Sequence, residues 1–283
     1  MRVTLHEAGL LYARVLQALG VPKGAVRAAV RMALWADIYH GLGATFMYRR
    51  YREGSIAGQA KPRILRDSPD ATVVDGNGLS SLLVGPAILD LATAKANAAG
   101  QGLMTGTGMT DLLWFGQLAQ QASRRGLVCA LSFQASAEQA EVADLAELYS
   151  TGRGIVALPS IGRSLWIEVP SPPLSHNLLM DSGSIFHFES LPERTLVRAG
   201  PGSSGFTLAL WRLERPELEA LGRELLERAA INEAQIFDQR RVRRRALSKG
   251  LEVEEDLYRR LLEISLNTLA PSSETERSTA RDG

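Results

Sequence analysis

The sequence predicts a mixed α/β fold, and three observations support this prediction. Residues 85–133 alternate between helical and extended patterns, in the order helix, strand, helix, strand. Amphipathic helical patterns precede this stretch at the N-terminus and return near the C-terminus. The composition is that of a globular protein, with 45% hydrophobic and 22% charged residues, and it argues against a disordered chain.

The first 54 residues are predicted to be helical. Apolar residues recur at the three-to-four spacing of an amphipathic helix over residues 5–19, and Gly20 follows as a C-cap. A second helix is predicted over residues 23–39. A third helical pattern, MYRRYREG at residues 47–54, follows a short glycine-containing stretch.

The middle of the chain alternates between the two kinds of element. β-rich residues with Ser-Pro and Asn-Gly turn signals predict extended structure over residues 62–78. The next predicted elements are a helix at 85–100 with Pro86 in its first turn, a strand at 101–109, a helix at 112–126 and a buried strand at 127–133.

The second half of the chain has weaker patterns. Further predicted elements are a helix at 137–149, strands at 164–169, 177–180 and 183–190, a helix from Pro216, and a final helix at 254–269. We expect four regions: an N-terminal helical segment (1–54) that packs with the C-terminal helices, a central α/β domain (55–210), the C-terminal helices (211–270) and a disordered tail (271–283).

Charge and cysteine content exclude several classes of protein. A formal net charge of +1 is smaller than the basic excess of most nucleic-acid-binding proteins. The arginines of residues 240–245 are followed by four acidic residues, which favours a solvated helix over a phosphate-binding one. A single cysteine, Cys129, excludes an intramolecular disulfide and any multi-cysteine metal site. With no apolar run of membrane-spanning length and no signal-peptide pattern, we expect a cytoplasmic protein with no membrane or nucleic-acid partner.

Common cofactor and catalytic motifs are missing from the sequence. It has no GxGxxG, P-loop, GxSxG or HExxH pattern, so a Rossmann dinucleotide site is not expected. The loop at residues 199–205 is glycine-rich, and it is either an anion-binding nest or a plain turn. The four histidines are scattered, so no metal site is predicted.

His40 is the most informative of these histidines. If one helix continues through this region, His40, Ala44 and Tyr48 lie on one face, at positions i, i+4 and i+8. A histidine and a tyrosine on one face can hold a carboxylate or relay a proton. The alternative is that both are amphipathic residues at the edge of a core.

Several stretches, taken in order, resemble the malate/L-lactate dehydrogenase family of the non-Rossmann kind. That family includes ureidoglycolate, sulfolactate and Δ1-piperideine-2-carboxylate reductases. In the N-terminal half, the resemblance rests on residues 18–54, with their Asp, His-Gly and Tyr, and on three further stretches: PRILRDSPDATVVDGNG, GPAILDLATAKANAAG and GTGMTDLLWFGQLAQQASRRGLV. In the C-terminal half, it rests on LLMDSGS, SSGFTLAL and the arginine-rich C-terminal segment.

The resemblance implies a mixed central sheet flanked by helices, a homodimer, and reduction of a small 2-oxo or imino acid by NAD(P)H. It places Asp111 where the family has its proton-donating histidine, and Ala44 where an arginine grips the substrate carboxylate. The implied catalytic residues are His40, Tyr48 and Asp111, which would converge on one pocket. The implied cofactor-binding residues are Gly162, Arg163, Ser164, Asp181 and Ser204.

These departures from the family pattern leave two functional interpretations open. The first is a shortened and diverged reductase whose substrate is less anionic, or is held by Arg49, Arg50 or Arg163. The second is a redox-silent member, which does cofactor-free acid–base chemistry as an isomerase, cyclase or lyase, or serves as a noncatalytic partner subunit. For Asp111 there is also a purely structural interpretation, an N-cap for the helix starting at Leu112.

Overall fold

The computed structural model describes residues 1–54, 56, 61–134, 153–159, 165–169, 205–231 and 235–267. The predicted helix at 137–149, the strands at 177–180 and 183–190, and the tail at 271–283 lie outside them. No helix in the described ranges is long and apolar enough to span a membrane. By its contacts the chain divides into two units, which are residues 1–58 with 243–283, and residues 59–242.

The described chain contains both helices and strands. The helices are α1 (Leu5–Ala18), α2 (Lys23–His40), α3 (Gly43–Glu53), α4 (Ser81–Ala99), α5 (Gly116–Arg124), α6 (Arg215–Ile231), α7 (Gln239–Lys249) and α8 (Glu255–Asn267). The strands are β1 (Arg2–Val3), β2 (Arg63–Asp67), β3 (Ala71–Asp75), β4 (Gln101–Thr107), β5 (Val128–Gln134), β6 (Arg153–Ala157), β7 (Leu165–Val169), β8 (Gly205–Trp211), β9 (Gln235–Asp238) and β10 (Leu251–Glu252).

The first unit is a helical assembly with a short antiparallel ribbon formed by β1 and β10. Helix α1 begins with a capping box, in which the N–H of Glu7 donates to Oγ1 of Thr4 at 3.2 Å and the N–H of Thr4 donates back to Oε2 of Glu7 at 2.9 Å. Helix α1 packs against α2 and α8, and α3 packs against the same two helices. Their facing side chains form a core that includes Leu16, Met32, Phe46, Met47 and Leu261.

Helix α2 ends at His40, which differs from the continuous helix that would place His40, Ala44 and Tyr48 on one face. Gly41 follows with a φ of 68°, the left-handed conformation that terminates helices, and its N–H donates to the carbonyl of Asp37 at 3.0 Å. A separate helix, α3, then starts at Gly43. The condition for a shared helical face is therefore not met, because His40 and Tyr48 belong to different helices.

The second unit is built on a mixed sheet flanked by helices, as predicted. Its strand order is β2-β3-β4-β8-β5-β6-β7-β9. Strands β3 and β4 are parallel and are joined by α4, whereas the other described neighbours in this sheet are antiparallel. Helix α4 packs on β4, and α5 packs on β5 and β6. Helix α6, which the sequence groups with the C-terminal helices, falls in this unit.

Two helix starts in this unit differ from the sequence-based prediction. Helix α4 begins at Ser81, because Oγ of Ser80 accepts a hydrogen bond from the N–H of Leu82 at 3.3 Å and caps it there. Pro86 consequently lies in the second turn of α4 and not in its first. The predicted helix from residue 112 is divided into a 3₁₀ turn over Leu112–Phe115 and the α-helix α5.

Candidate functional site

The predicted catalytic residues belong to both units. His40 and Tyr48 lie in the first unit, and Asp111 lies in the second. Convergence of the three side chains on one pocket stays a prediction. The predicted cofactor residues Gly162, Arg163, Ser164, Asp181 and Ser204 lie outside the described ranges.

His40 is the last residue of α2 and is half-buried. Its ring lies edge-on to the indole of Trp35, with the ring centroids 5.1 Å apart. Trp35 also stacks on Tyr39, at 5.2 Å between centroids. The imidazole therefore lies at the end of a small aromatic cluster, which restricts the orientations that its ring can take.

Ala44 holds a buried carboxyl group in place through its backbone. Its N–H donates to Oδ1 of Asp37 at 3.1 Å, and the hydroxyl of Tyr12 donates to Oδ2. Burial raises the pKa of Asp37 to about 6, while the hydrogen bonds from Tyr12, Ala44 and Gly43 oppose that rise. Ala44 itself is 3% exposed, so the position implied for a substrate-binding arginine contributes to the core.

Tyr48 is paired with an arginine that the sequence analysis did not find. Nη1 of Arg260, on α8, donates a hydrogen bond to the hydroxyl of Tyr48 at 2.8 Å. The guanidinium carbon lies 5.4 Å from the centroid of the Tyr48 ring, within cation–π distance. The two residues are 212 positions apart in the chain, so no spacing pattern could have brought them together.

Two of the arginines considered as substrate anchors already bind an acidic side chain. Nε of Arg49 lies 3.2 Å from one carboxylate oxygen of Glu53, and Nη1 of Arg50 lies 2.6 Å from the other. The guanidinium of Arg49 also covers the Phe46 ring at 4.6 Å. The third, Arg163, lies outside the described residues. The charge of Glu53 therefore already balances part of the charge of Arg49 and Arg50.

Asp111 follows the carboxyl end of β4, beside the carboxyl end of its parallel neighbour β3. The loops that leave these strands are joined by hydrogen bonds from the N–H of Gly76 to the carbonyl of Thr107 at 2.8 Å, and from the N–H of Gly78 to the carbonyl of Gly108 at 2.7 Å. In open α/β sheets, ligands commonly bind outside the carboxyl ends of parallel strands. This edge of the sheet is therefore a candidate ligand site.

The backbone of Asp111 is left-handed, with a φ of 60°, and the residue is 2% exposed. Oγ of Ser81, at the start of α4, donates to its carbonyl at 2.5 Å, and Oγ1 of Thr110 donates to its Oδ2 at 3.2 Å. An N-cap residue normally has extended backbone, so the N-cap interpretation does not account for this conformation. Non-glycine residues in this region are uncommon and cluster at functional sites, although aspartate adopts it more readily than most residues.

Other chemically distinctive groups offer no second site in the described ranges. Cys129 is fully buried in β5, and burial raises the pKa of its thiol, which makes it unreactive. The described residues contain no group of three or more His, Cys, Asp or Glu side chains that could hold a metal ion. Arg243, Arg244 and Arg245 of α7 are exposed, as expected for a solvated helix.

A family model described as malate/L-lactate dehydrogenase matches residues 3–162, more than half of the chain. The chain therefore belongs to the malate/L-lactate dehydrogenase family, a family of oxidoreductases. This membership confirms the resemblance identified from the sequence. No match is found among the curated proteins.

Solved structures with the same fold include two dehydrogenases and a reductase. Malate dehydrogenase from Pyrococcus horikoshii OT3 has 14% identity and a TM-score of 0.66, with 95% of each chain covered. Sulfolactate dehydrogenase from Methanocaldococcus jannaschii has 15% identity and a TM-score of 0.63, with 95% of this chain and 97% of that chain covered. Delta1-piperideine-2-carboxylate reductase from Pseudomonas syringae pvar. tomato has 14% identity and a TM-score of 0.60, with 93% and 99% covered.

Proposed function

We propose that this protein is an NAD(P)H-dependent reductase of a small 2-oxo acid or imino acid. Family membership supports reductase chemistry. Asp111 is buried and has a left-handed backbone at the carboxyl ends of β3 and β4. This conformation is the observation that most strongly supports Asp111 as a catalytic residue. Asp111 occupies the segment in which the family resemblance implies the proton donor.

The reaction needs a hydride at the carbon of a C=O or C=N group and a proton at its oxygen or nitrogen. The nicotinamide cofactor supplies the hydride when it is bound. We assign the proton to the carboxyl group of Asp111, whose main chain is fixed by Ser81 and whose Oδ2 is held by Thr110. Fixing the donor in this way lowers the entropic cost of aligning it with the substrate.

The first unit supplies the other proposed side chains. His40, with its ring restricted by Trp35, is an alternative proton carrier, and Tyr48 is a hydrogen-bonding residue toward the substrate. We further propose that Gly162, Arg163, Ser164, Asp181 and Ser204 contact the cofactor and that the protein is a cytoplasmic homodimer. Light scattering tests the dimer directly, since one chain has a mass of 30.7 kDa.

A titration of the purified protein with NADH and with NADPH tests the proposed function. Nucleotide fluorescence should change on binding with a dissociation constant below the millimolar range. A panel of 2-oxo acids and cyclic imino acids should then include a compound that accelerates oxidation of the bound nucleotide. Absence of binding up to about millimolar nucleotide, which corresponds to roughly −4 kcal/mol, would favour the redox-silent alternative.

A further inference from the structure

Arg260 differs from the other described arginines near Tyr48 in what its guanidinium contacts. Arg49 and Arg50 both bind Glu53, and Arg259, its neighbour on α8, lies 3.4 Å from Glu255 and 3.5 Å from Asp256. In the described part of the chain, no ion pair holds Arg260. Asp256 and Glu254 attract it only at longer range, and its hydrogen bond is to Tyr48.

Within the described part of the chain, this arrangement leaves most of the hydrogen-bonding capacity of Arg260 unused. A guanidinium has five N–H donors in a planar fork, and the bond to Tyr48 uses one of them. The side chain is exposed, so a ligand can reach the remaining donors. The phenol ring beside it restricts the position of the guanidinium, and the Tyr48 hydroxyl keeps its own proton to donate.

We propose that Arg260 and Tyr48 together bind the carboxylate of the substrate. The pair supplies a cation and a neutral donor at one place, and a planar guanidinium matches a carboxylate with two parallel hydrogen bonds. This inference rests on the proposed function, because it takes Tyr48 to face the substrate. It replaces the expectation of a less anionic substrate, because a guanidinium on α8 takes the part of the arginine absent at Ala44.

Isothermal titration calorimetry with oxalate tests this pair. Oxalate is a small acid whose carboxylate is bonded to a second carbonyl carbon. We expect Arg260→Gln to weaken oxalate binding by about 10- to 100-fold, as loss of a charge-assisted pair does. Arg260→Lys keeps the charge but not the fork and should give an intermediate loss. Tyr48→Phe should weaken binding by only a few-fold. Arg259→Gln, the matched control, should bind oxalate like the unaltered protein.

The inference is wrong if oxalate does not bind to the unaltered protein. It is also wrong if Arg260→Gln and Arg259→Gln change the oxalate affinity equally. Thermal melting of each variant shows whether the fold is retained, which is expected for the exposed Arg259 and Arg260. Nucleotide titration separates this inference from the proposed function. If NADH and NADPH fail to bind while oxalate still requires Arg260, the reductase proposal fails and the carboxylate site stands. If nucleotide binds and is oxidised but Arg260→Gln leaves oxalate affinity unchanged, the reductase proposal stands and the carboxylate site fails.

Discussion

The hydroxyl of Tyr12 donates a hydrogen bond to Oδ2 of Asp37, and this contact joins α1 to α2 inside the first unit. The other oxygen of the same carboxyl accepts a hydrogen bond from the N–H of Ala44, so Asp37 also connects α2 to α3. Tyr12 is 1% exposed and Asp37 is 9% exposed. Burial and the neighbouring carboxylate raise the pKa of Tyr12 well above its ordinary value, so the phenol remains a donor while Asp37 titrates.

The free energy of unfolding should depend on pH through Asp37. Its pKa rises from an ordinary value of 3.8 to about 6 on folding, so the folded chain holds the proton more tightly than the unfolded chain. This contribution to stability is complete below about pH 4 and is lost as the pH rises through about 6. Between about pH 5 and pH 7.5 the loss is roughly 1 kcal/mol.

Urea denaturation of Asp37→Asn at these two pH values measures that contribution. Asparagine keeps the shape of the side chain and an acceptor oxygen but cannot ionise. The unaltered protein should lose more stability than the variant between about pH 5 and pH 7.5, by roughly 1 kcal/mol. Equal pH dependence in the two proteins would show that Asp37 does not titrate in this range.

Tyr12→Phe should destabilise the protein more at about pH 7.5 than at about pH 5. The lost hydrogen bond favours the ionised carboxylate, so its removal raises the pKa of Asp37 further. Hydrogen bonds to charged groups contribute about 1.5–3 kcal/mol, and bonds between neutral groups about half of that. Tyr51→Phe, at an exposed position on α3, is the control and should change stability by less than about 0.5 kcal/mol. A Tyr12→Phe effect independent of pH would contradict this account.

Gly43 allows α3 to approach α2 closely. A Cβ at Gly43 would meet the carbonyl oxygen of Ala33 and lie 2.6 Å from Cγ of Asp37. Gly43→Ala should therefore lower the free energy of unfolding by about 1–3 kcal/mol. Gly24→Ala is the matched control, because nothing lies within 4 Å of a Cβ there and alanine favours the helix by up to about 1 kcal/mol. Thermal melting should separate the two variants, and equal melting temperatures would contradict the close approach.

Local patterns predicted most of the described elements. The three-to-four periodicity and a following glycine located α1 and α2 to within a residue or two. Errors arose where short-range contacts decide a boundary, such as the cap by Ser80 that moves the start of α4. Strand order could not be derived from these patterns, because the pairing of β4 and β5 with β8 joins distant segments.

The candidate site was only partly predictable for the same reason. Asp111 could be identified because the family resemblance covers its segment, but its left-handed backbone comes from the contacts of α4 and β4 around it. The partnership of Tyr48 with Arg260 depends on how α3 packs against α8. An arginine in an amphipathic helix has no sequence feature that distinguishes it from Arg259, its solvated neighbour.

Asp111→Asn should lower turnover strongly without altering the fold. Asparagine tolerates left-handed backbone nearly as well as aspartate and can still accept the hydrogen bond from Thr110. It cannot donate an acidic proton, so we expect kcat to fall by about 10²- to 10⁴-fold. Nucleotide affinity should not change, because the proposed cofactor contacts are other residues. Fluorescence titration, turnover and thermal melting together measure these three properties.

Asp111→Ala and His40→Ala complete this test. Alanine at Asp111 removes the same proton but must also adopt a φ near 60°, which costs about 1–2 kcal/mol, so this variant should melt at a lower temperature than Asp111→Asn. If His40 carries the proton instead, His40→Ala loses turnover and Asp111→Asn keeps it. If both Asp111→Asn and His40→Ala keep activity and only Asp111→Asn melts lower, Asp111 is a structural residue and the proposed proton donor is wrong.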